Sequence, residues 1–306
     1  MSVIYDRVAL IGLGLIAGSM AHAMRRDGLA GEIVGTARSA DTLAVAKEIG
    51  LCDRLVTTNA EAVKGADLVV LAVPVGVMGE IAAEIAPHLK PGATVTDVGS
   101  VKGHVVAAVG PHIPESVHFI PGHPLAGTEH SGPRSGFAEL FENRWCLLIP
   151  DETTDADALV RLRALWEAMG SNVDTMDAAH HDLVLAVTSH APHLIAYTMV
   201  GVADDLRRVT DSEVIKYSAA GFRDFTRIAA SDPTMWRDVF LSNKEATLEI
   251  LGRFTEELFA LQRAIRKGDG QHLFDYFTRT RAIRRGIIEA GQDINAPDFG
   301  RGASKE

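Results

Sequence analysis

Along the first 176 residues, short apolar runs alternate with stretches of helical spacing; beyond them only helical spacing remains. Val8-Ala9-Leu10-Ile11, Glu32–Thr36, Leu68–Val73 and Thr94–Val98 are brief and largely apolar or β-branched, the pattern of parallel strands buried on both faces. Helical periods follow them over Met20–Arg26, Asp41–Ile49, Val77–His88 and Lys102–Val109. Val117–Pro121, Cys146–Pro150 and Val173–Met176 read as further strands, with a helix over Asp155–Met169. This βα rhythm predicts an α/β fold with a doubly wound parallel sheet over 1–176. From His180 to Leu206 the spacing predicts one long helix kinked at Pro192, since proline removes a helical hydrogen bond. Ser212–Ala219, Pro233–Arg266 and Gln271–Ala290 are also predicted helices, and the tail from Gly291 reads as mobile. An all-helical second domain over 177–306 follows.

Composition narrows the function. At 306 residues the chain suits two domains, and 47% hydrophobic with 23% charged residues is ordinary for a folded protein. A net charge of -10 and a pI near 5.6 argue against a nucleic-acid or anionic-membrane surface, so an anionic substrate needs a local basic pocket. The apolar run Leu68–Met78 contains Pro74 and is too short to span a bilayer. The start Met1–Arg7 has no secretory pattern, and Cys52 and Cys146 lack metal-ligand spacing. A cytoplasmic protein with two buried thiols and no metal is expected. Helices with several apolar faces point to a homodimer.

The first strand runs directly into Gly12-Leu13-Gly14-Leu15-Ile16-Ala17 and then a helix. This is a GxGxxA turn in its strand-to-helix setting: Gly12 for the tight turn, Gly14 for the approach of a pyrophosphate, Ala17 for close helix packing. The N-terminal N–H groups of the helix beside Leu15 and Ile16 suit the phosphates. A Rossmann-type dinucleotide domain is the expectation. Where an acid for the ribose hydroxyls usually stands, the chain has Ala37-Arg38-Ser39. Arg38 suits a 2′-phosphate, with Ser39 adding a hydrogen bond, so the cofactor reads as NAD(P) with NADP favoured over NAD. The alternative is Arg38 stacked on an adenine or lying in solvent. Val73 and Pro74, ending the third predicted strand, complete the expected cofactor-binding positions.

Gly122-His123-Pro124-Leu125-Ala126-Gly127-Thr128-Glu129 follows the run Val117–Pro121, which places His123 at the carboxyl end of a strand, where open α/β sheets bind ligands. Histidine titrates nearest neutrality and suits a general base; a turn histidine bonded to backbone is the bland reading. Ser100, after Thr94–Val98, falls at the same edge as a substrate hydroxyl partner or as a cap of the next helix. On the long helix Asp182 and His193 share a face, with His190 a quarter-turn away; the spacing is not HExxH. Arg223, Arg227 and Arg237 with Trp236 form a second patch, able to clamp a carboxylate or merely to lie in solvent.

Together, Gly12–Ile16, Asp97–Lys102, Gly122–Glu129, Ser189–His193, Asp224–Ala229 and Met235–Asp238 resemble, in order, the prephenate/arogenate (cyclohexadienyl) dehydrogenase family. Ala17 departs from the usual third glycine, and Ala37 from the frequent acid. The resemblance implies oxidative decarboxylation of prephenate or arogenate in tyrosine biosynthesis. It implies His123 as base, Ser100 orienting it, Arg227 on a substrate carboxylate and His193 at the side-chain end. Asp182, His190, Glu129 and Trp236 would shape or gate the pocket. A β-hydroxyacid-type dehydrogenase, which relies on a lysine in its helical half, and a non-catalytic dinucleotide sensor are the alternatives.

Overall fold

The computed structural model describes residues 2–128, 130–207, 218–287 and 289. Glu129, most of the expected helix Ser212–Ala219 and the tail from Gly291 lie outside them. The chain forms two compact units, 1–248 and 249–306.

Six strands of the first unit, β1 (Tyr5–Ile11), β2 (Ala30–Thr36), β3 (Arg54–Val56), β4 (Leu68–Leu71), β5 (Thr94–Asp97) and β6 (His118–Phe119), make one sheet. The order is β3-β2-β1-β4-β5-β6 and every pairing is parallel. The order reverses between β1 and β4, the crevice where such sheets take ligands. Alternation within the strands covers both faces. Val8, Leu10, Leu68 and Val70 pack toward α1 (Leu15–Asp27), while Ala9, Ile11, Val69 and Leu71 pack toward the helices α4 (Met78–Ile85) and α5 (Lys102–Val109). Each such fully buried valine, leucine or isoleucine side chain contributes about 1.5–3 kcal/mol. The strands and helices predicted over residues 8–121 are present, with α2 over Ala40–Glu48, and β3 and α3 (Asn59–Val63) are additions that the pattern did not announce.

The expected single sheet is in fact two. β7 (Gly122–Pro124), β8 (Trp145–Leu148) and β9 (Asn172–Thr175) form a second, mixed sheet: β7 antiparallel to β8, and β8 parallel to β9 across α6 (Ala156–Ala168). His123 therefore does not end a strand of the large sheet. β6 stops at Phe119, and His123 sits in the middle of edge strand β7, opposite Leu147. Pro124 is compatible with an edge strand because that strand has one side without a ladder partner.

The predicted long helix is interrupted as expected, but by a different device. α7 (Ala178–Leu185) passes through a π-helical turn, Ala186–His190, before α8 (Ala191–Arg207). Pro192 has no N–H to give to the preceding turn, and the wider turn before it absorbs the mismatch. The span Ala178–Asp205 is long and apolar enough to cross a membrane by length and composition, yet it carries the buried polar groups His181, Asp182 and His190. After it come α9 (Ala220–Thr226), a 3-10 turn at Arg227–Ala230, α10 (Pro233–Ser242) and α11 (Lys244–Lys267). Asn243 splits the helix predicted over Pro233–Arg266. The second unit holds the rest of α11 and α12 (Gly270–Ile287). It exposes Phe254, Leu258, Phe259, Ile265, Phe274, Phe277, Ile283 and Ile287.

Candidate active site

At the β1–α1 turn, Gly12 has φ +92°, and a Cβ there would lie 2.4 Å from the Ala72 carbonyl oxygen. Only glycine fits this turn. At Gly14 a Cβ would meet nothing within 4 Å, and this N-cap offers no side-chain hydrogen bond; the first turn of α1 carries no acid. Open space against free helix N–H groups fits a phosphate. Ala17 is fully buried, and Leu15 and Ile16 are half-buried beside it. Val73 and Pro74 follow β4 next to Gly12, with the Val73 Cγ1 2.8 Å from where a Gly12 Cβ would stand. Arg38 is exposed, whereas Ser39 caps α2 by accepting from the Thr42 N–H at 3.4 Å.

Next to the end of β5, buried charges tie the two sheets together. Asp97 accepts from the Gly99 N–H at 2.7 Å and the Gly122 N–H at 3.2 Å, and it pairs with the fully buried Lys102. The Lys102 ammonium also donates to the Gly122 carbonyl at 2.6 Å. Burial lowers the Lys102 pKa against the pull of Asp97. Gly122 is thereby fixed at the carboxyl edge of the large sheet, and His123 with it.

His123 is 8% exposed. Its Nδ1 lies 2.9 Å from His181 Nε2, and His181 Nδ1 lies 2.8 Å from Asp182 Oδ1. Burial, followed by the neighbouring His181, Lys102 and His190, drives the His123 pKa well below the ordinary value, so the ring is neutral near pH 7. Asp182 Oδ1 also accepts from the Lys102 N–H at 2.7 Å, and Oδ2 from the Gly103 N–H at 2.8 Å. These are the leading N–H groups of α5, whose own N-cap Val101 has no capping side chain. A Cβ on Gly103 would come within 2.9 Å of that carboxylate. Burial raises the Asp182 pKa, but the hydrogen bonds from His181, Lys102 and Gly103 outweigh it and leave the group below its ordinary value.

One expectation changes here. No hydrogen bond joins Ser100 to His123 among the described residues; the ring is held by His181, and Ser100 is a half-buried neighbour at the sheet edge. The Asp182 carboxylate links α5 to His181. His181 and Asn243 were not anticipated. Asn243 donates to the Asp182 main-chain carbonyl at 2.8 Å and lies 3.0 Å from His190 Nδ1. A signal existed for both: a polar His-His-Asp run on an apolar helix, and an asparagine inside a helical period.

Of the remaining predicted residues, His190, His193, Trp236 and Arg227 gather. His193 stacks on Trp236 with ring centroids 3.7 Å apart, and His190 meets the same indole edge-on at 6.1 Å. His193 Nδ1 donates to the Ser189 carbonyl at 2.8 Å, so its Nε2 is the nitrogen with a lone pair in the neutral ring. Burial lowers the His193 pKa, the Ser189 contact opposes it, and the nearby Arg227 lowers it again. Arg227 opens the 3-10 turn after α9 and is half-buried. His190 is fully buried, and burial takes its pKa down to about 4. Asp182 and the Ser100 backbone oppose that fall, and the Trp236 Nε1 is buried without a hydrogen-bond partner. Among the described residues no group of three or more His, Cys, Asp or Glu side chains has metal-holding geometry.

A dinucleotide turn, a neutral buried imidazole at the sheet edge and a basic aromatic patch thus share the first unit. The sequence matches the family model described as prephenate dehydrogenase, nucleotide-binding domain, over residues 20–175, and the one described as prephenate dehydrogenase, dimerization domain, over residues 177–279. The chain belongs to the prephenate dehydrogenase family. It is 39% identical over 281 residues to the cyclohexadienyl dehydrogenase of Zymomonas mobilis, covering 92% of this chain and 96% of that protein. The prephenate dehydrogenase from A. aeolicus, solved with hydroxyphenyl propionate and NAD+, is 35% identical with a TM-score of 0.84, covering 92% of this chain and 98% of that one. The arogenate dehydrogenase of Synechocystis is 27% identical with a TM-score of 0.77, covering 92% of this chain and 99% of that one. As a member of the prephenate dehydrogenase family, the chain is an NAD(P)-linked enzyme of oxidative decarboxylation in tyrosine biosynthesis.

Proposed function

We propose that this enzyme acts on prephenate, arogenate or both, with His123 as the proton acceptor. The neutral, buried His123 imidazole, held at the edge of the same sheet whose first strand runs into a dinucleotide-binding turn, carries this reading. When bound, the nicotinamide dinucleotide supplies the hydride acceptor. His123 takes the proton of the ring hydroxyl as hydride leaves the same carbon, and loss of carbon dioxide then leaves an aromatic ring, which makes the step irreversible. Ser100 bonds the hydroxyl, Arg227 holds a substrate carboxylate through its paired N–H donors, and His193 meets the side-chain end. Asp182, His190, Glu129 and Trp236 would shape or gate the pocket. Gly12, Gly14, Leu15, Ile16 and Ala17 would hold the dinucleotide at its pyrophosphate, with Val73 and Pro74 completing the cofactor-binding positions.

NADP is the preferred cofactor, because Arg38 stands exposed where an acid would otherwise meet the ribose hydroxyls. The catalytic unit is a cytoplasmic homodimer with a dinucleotide domain over 1–176 and a helical domain over 177–306. Support for the dimer comes from the matched dimerization domain and from the exposed apolar side chains of α11 and α12. Assay of purified enzyme with both substrates and both cofactors tests the reading. His123→Asn is expected to bind cofactor normally and to lose about two to four orders of magnitude in turnover. Near-normal turnover in that variant removes His123 from the role, and a clear preference for NAD refutes the cofactor choice.

A further inference from the structure

The hydrogen-bond chain behind His123 assigns more than the base itself, and what it assigns rests on the reading of His123 as that base. An ionised carboxylate only accepts, so Asp182 Oδ1 at 2.8 Å requires the proton of His181 to sit on Nδ1. The other nitrogen of a neutral His181, Nε2, is then a lone pair. It faces His123 Nδ1 at 2.9 Å, so that nitrogen of His123 must be the N–H. One carboxylate thereby fixes two tautomers in series and leaves His123 Nε2 as the basic nitrogen.

We infer that His181 is a positioning residue for the reaction: backed by Asp182, it sets which nitrogen of His123 is basic and shares the positive charge that His123 gains. The proton balance is simple. The substrate O–H breaks, a new N–H forms at His123 Nε2, and the Nδ1–H of each ring stays in place while its hydrogen bond shortens toward the carboxylate. No proton needs to travel beyond Nε2.

The interposed ring also explains how His123 stays neutral at rest. A carboxylate bonded directly to His123 would favour the charged imidazolium. Here the carboxylate is one ring away, and part of its charge already answers the Lys102 and Gly103 N–H groups at the start of α5. The buried Lys102 ammonium and His190 bear on His123 from α5 and the π turn and oppose extra positive charge. Asp182 also acts on Lys102, and Asp97 on His181. The two rings are oriented for the hydrogen bond and not for stacking, with centroids 5.1 Å apart and planes at 60°.

The test compares His181→Phe, His181→Gln and His123→Asn with the wild type, by steady-state kinetics and by 15N NMR of histidine-labelled protein, which separates protonated from lone-pair ring nitrogens. In the wild type, His123 should be protonated at Nδ1 and bare at Nε2. In His181→Phe both tautomers of His123 should appear and turnover fall by about 100-fold, with the Michaelis constant and cofactor affinity within about twofold. Glutamine can accept from His123 and donate to Asp182, so His181→Gln should keep the wild-type tautomer and recover about tenfold of the lost turnover. A wild-type His123 protonated at Nε2, or a His181→Phe enzyme within about threefold of wild-type turnover, overturns the assignment. Should His181→Phe fail to fold by circular dichroism, the wild-type spectrum and His181→Gln decide. In that case a scrambled tautomer in His181→Gln, or turnover no better than that of His123→Asn, counts against it. His123→Asn keeps the two ideas apart: if it retains turnover the base is wrong, and if it alone loses turnover only the positioning role fails.

Discussion

Removing the Asp182 carboxylate is the most demanding structural test, because that group serves the fold and the site together. Asp182→Ala strands three donors: the Lys102 N–H, the Gly103 N–H and His181 Nδ1–H. Each buried donor left unpaired costs about 1–3 kcal/mol, more when its partner was charged. The sum would reach roughly 3–9 kcal/mol, and water entering the space of a side chain that is 12% exposed brings it toward the low end. We expect a loss of about 3–5 kcal/mol in the unfolding free energy of the first unit, read by urea titration with far-ultraviolet circular dichroism. Asp182→Asn keeps the shape and one acceptor oxygen but turns an NH2 toward the other donors, so it should lose about half as much. The pH dependence carries a second check. A folded pKa below the ordinary 3.8 means that the stabilisation is complete above that value and is lost as pH falls through the lower folded one. If Asp182→Ala costs less than about 1 kcal/mol, Asp182 does not hold α5 and the positioning of His123 by this route fails with it.

Other outcomes follow from single contacts. The pKa of His190 falls from 6.5 to about 4 on folding, so its neutral form stabilises the protein fully above 6.5 and that contribution fades as pH drops toward 4. Acidification over this window should cost on the order of 2–4 kcal/mol, and His190→Gln should flatten the profile of melting temperature against pH. Gly12→Ala forces a side chain to 2.4 Å from a carbonyl at positive φ and should lower stability by about 1–3 kcal/mol. Gly14→Ala has room in the protein and should melt normally, yet weaken dinucleotide binding about tenfold or more in calorimetric titration. Arg227→Ala should raise the Michaelis constant with little change in turnover, since it removes binding common to ground and transition states; an unchanged constant rejects it as the carboxylate clamp.

How far the chain could be read in advance depended on whether a residue's partner was close in sequence. The glycine turn is local: a strand, Gly12, Gly14 and a helix lie within one supersecondary unit, so spacing alone places it. The buried strands β1 and β4 are likewise legible from their composition. What could not be read is long-range. Whether Gly122–Pro124 joins the large sheet or a second one is decided by pairing with Trp145–Leu148 and by the bond from Gly122 to Asp97, and periodicity carries no such information. His181 escaped notice because a helical repeat shows which face it occupies but not that His123, fifty-eight positions earlier, sits opposite. The π turn also shifts the face relation between Asp182 and His193, so a count of residues along an ideal helix does not carry across it.

The same contacts explain why the base lies on a separate strand. A residue at the end of β5 would share the fixed direction of the parallel ladder and would approach a ligand only from the sheet edge. By leaving the large sheet after Phe119 and pairing with β8, the chain gains a strand whose direction is set independently. That freedom has to be bounded, because an edge strand of three residues is poorly fixed by its own ladder. Asp97 and Lys102 bound it from one side, through the Gly122 N–H and carbonyl, and His181 from the other, through the imidazole. Asp182 joins the two restraints, since it holds His181 and also the backbone of Lys102. A single carboxylate on the helical half therefore sets the position of a strand on the sheet half, so changes in α7 should reach turnover without any contact to cofactor.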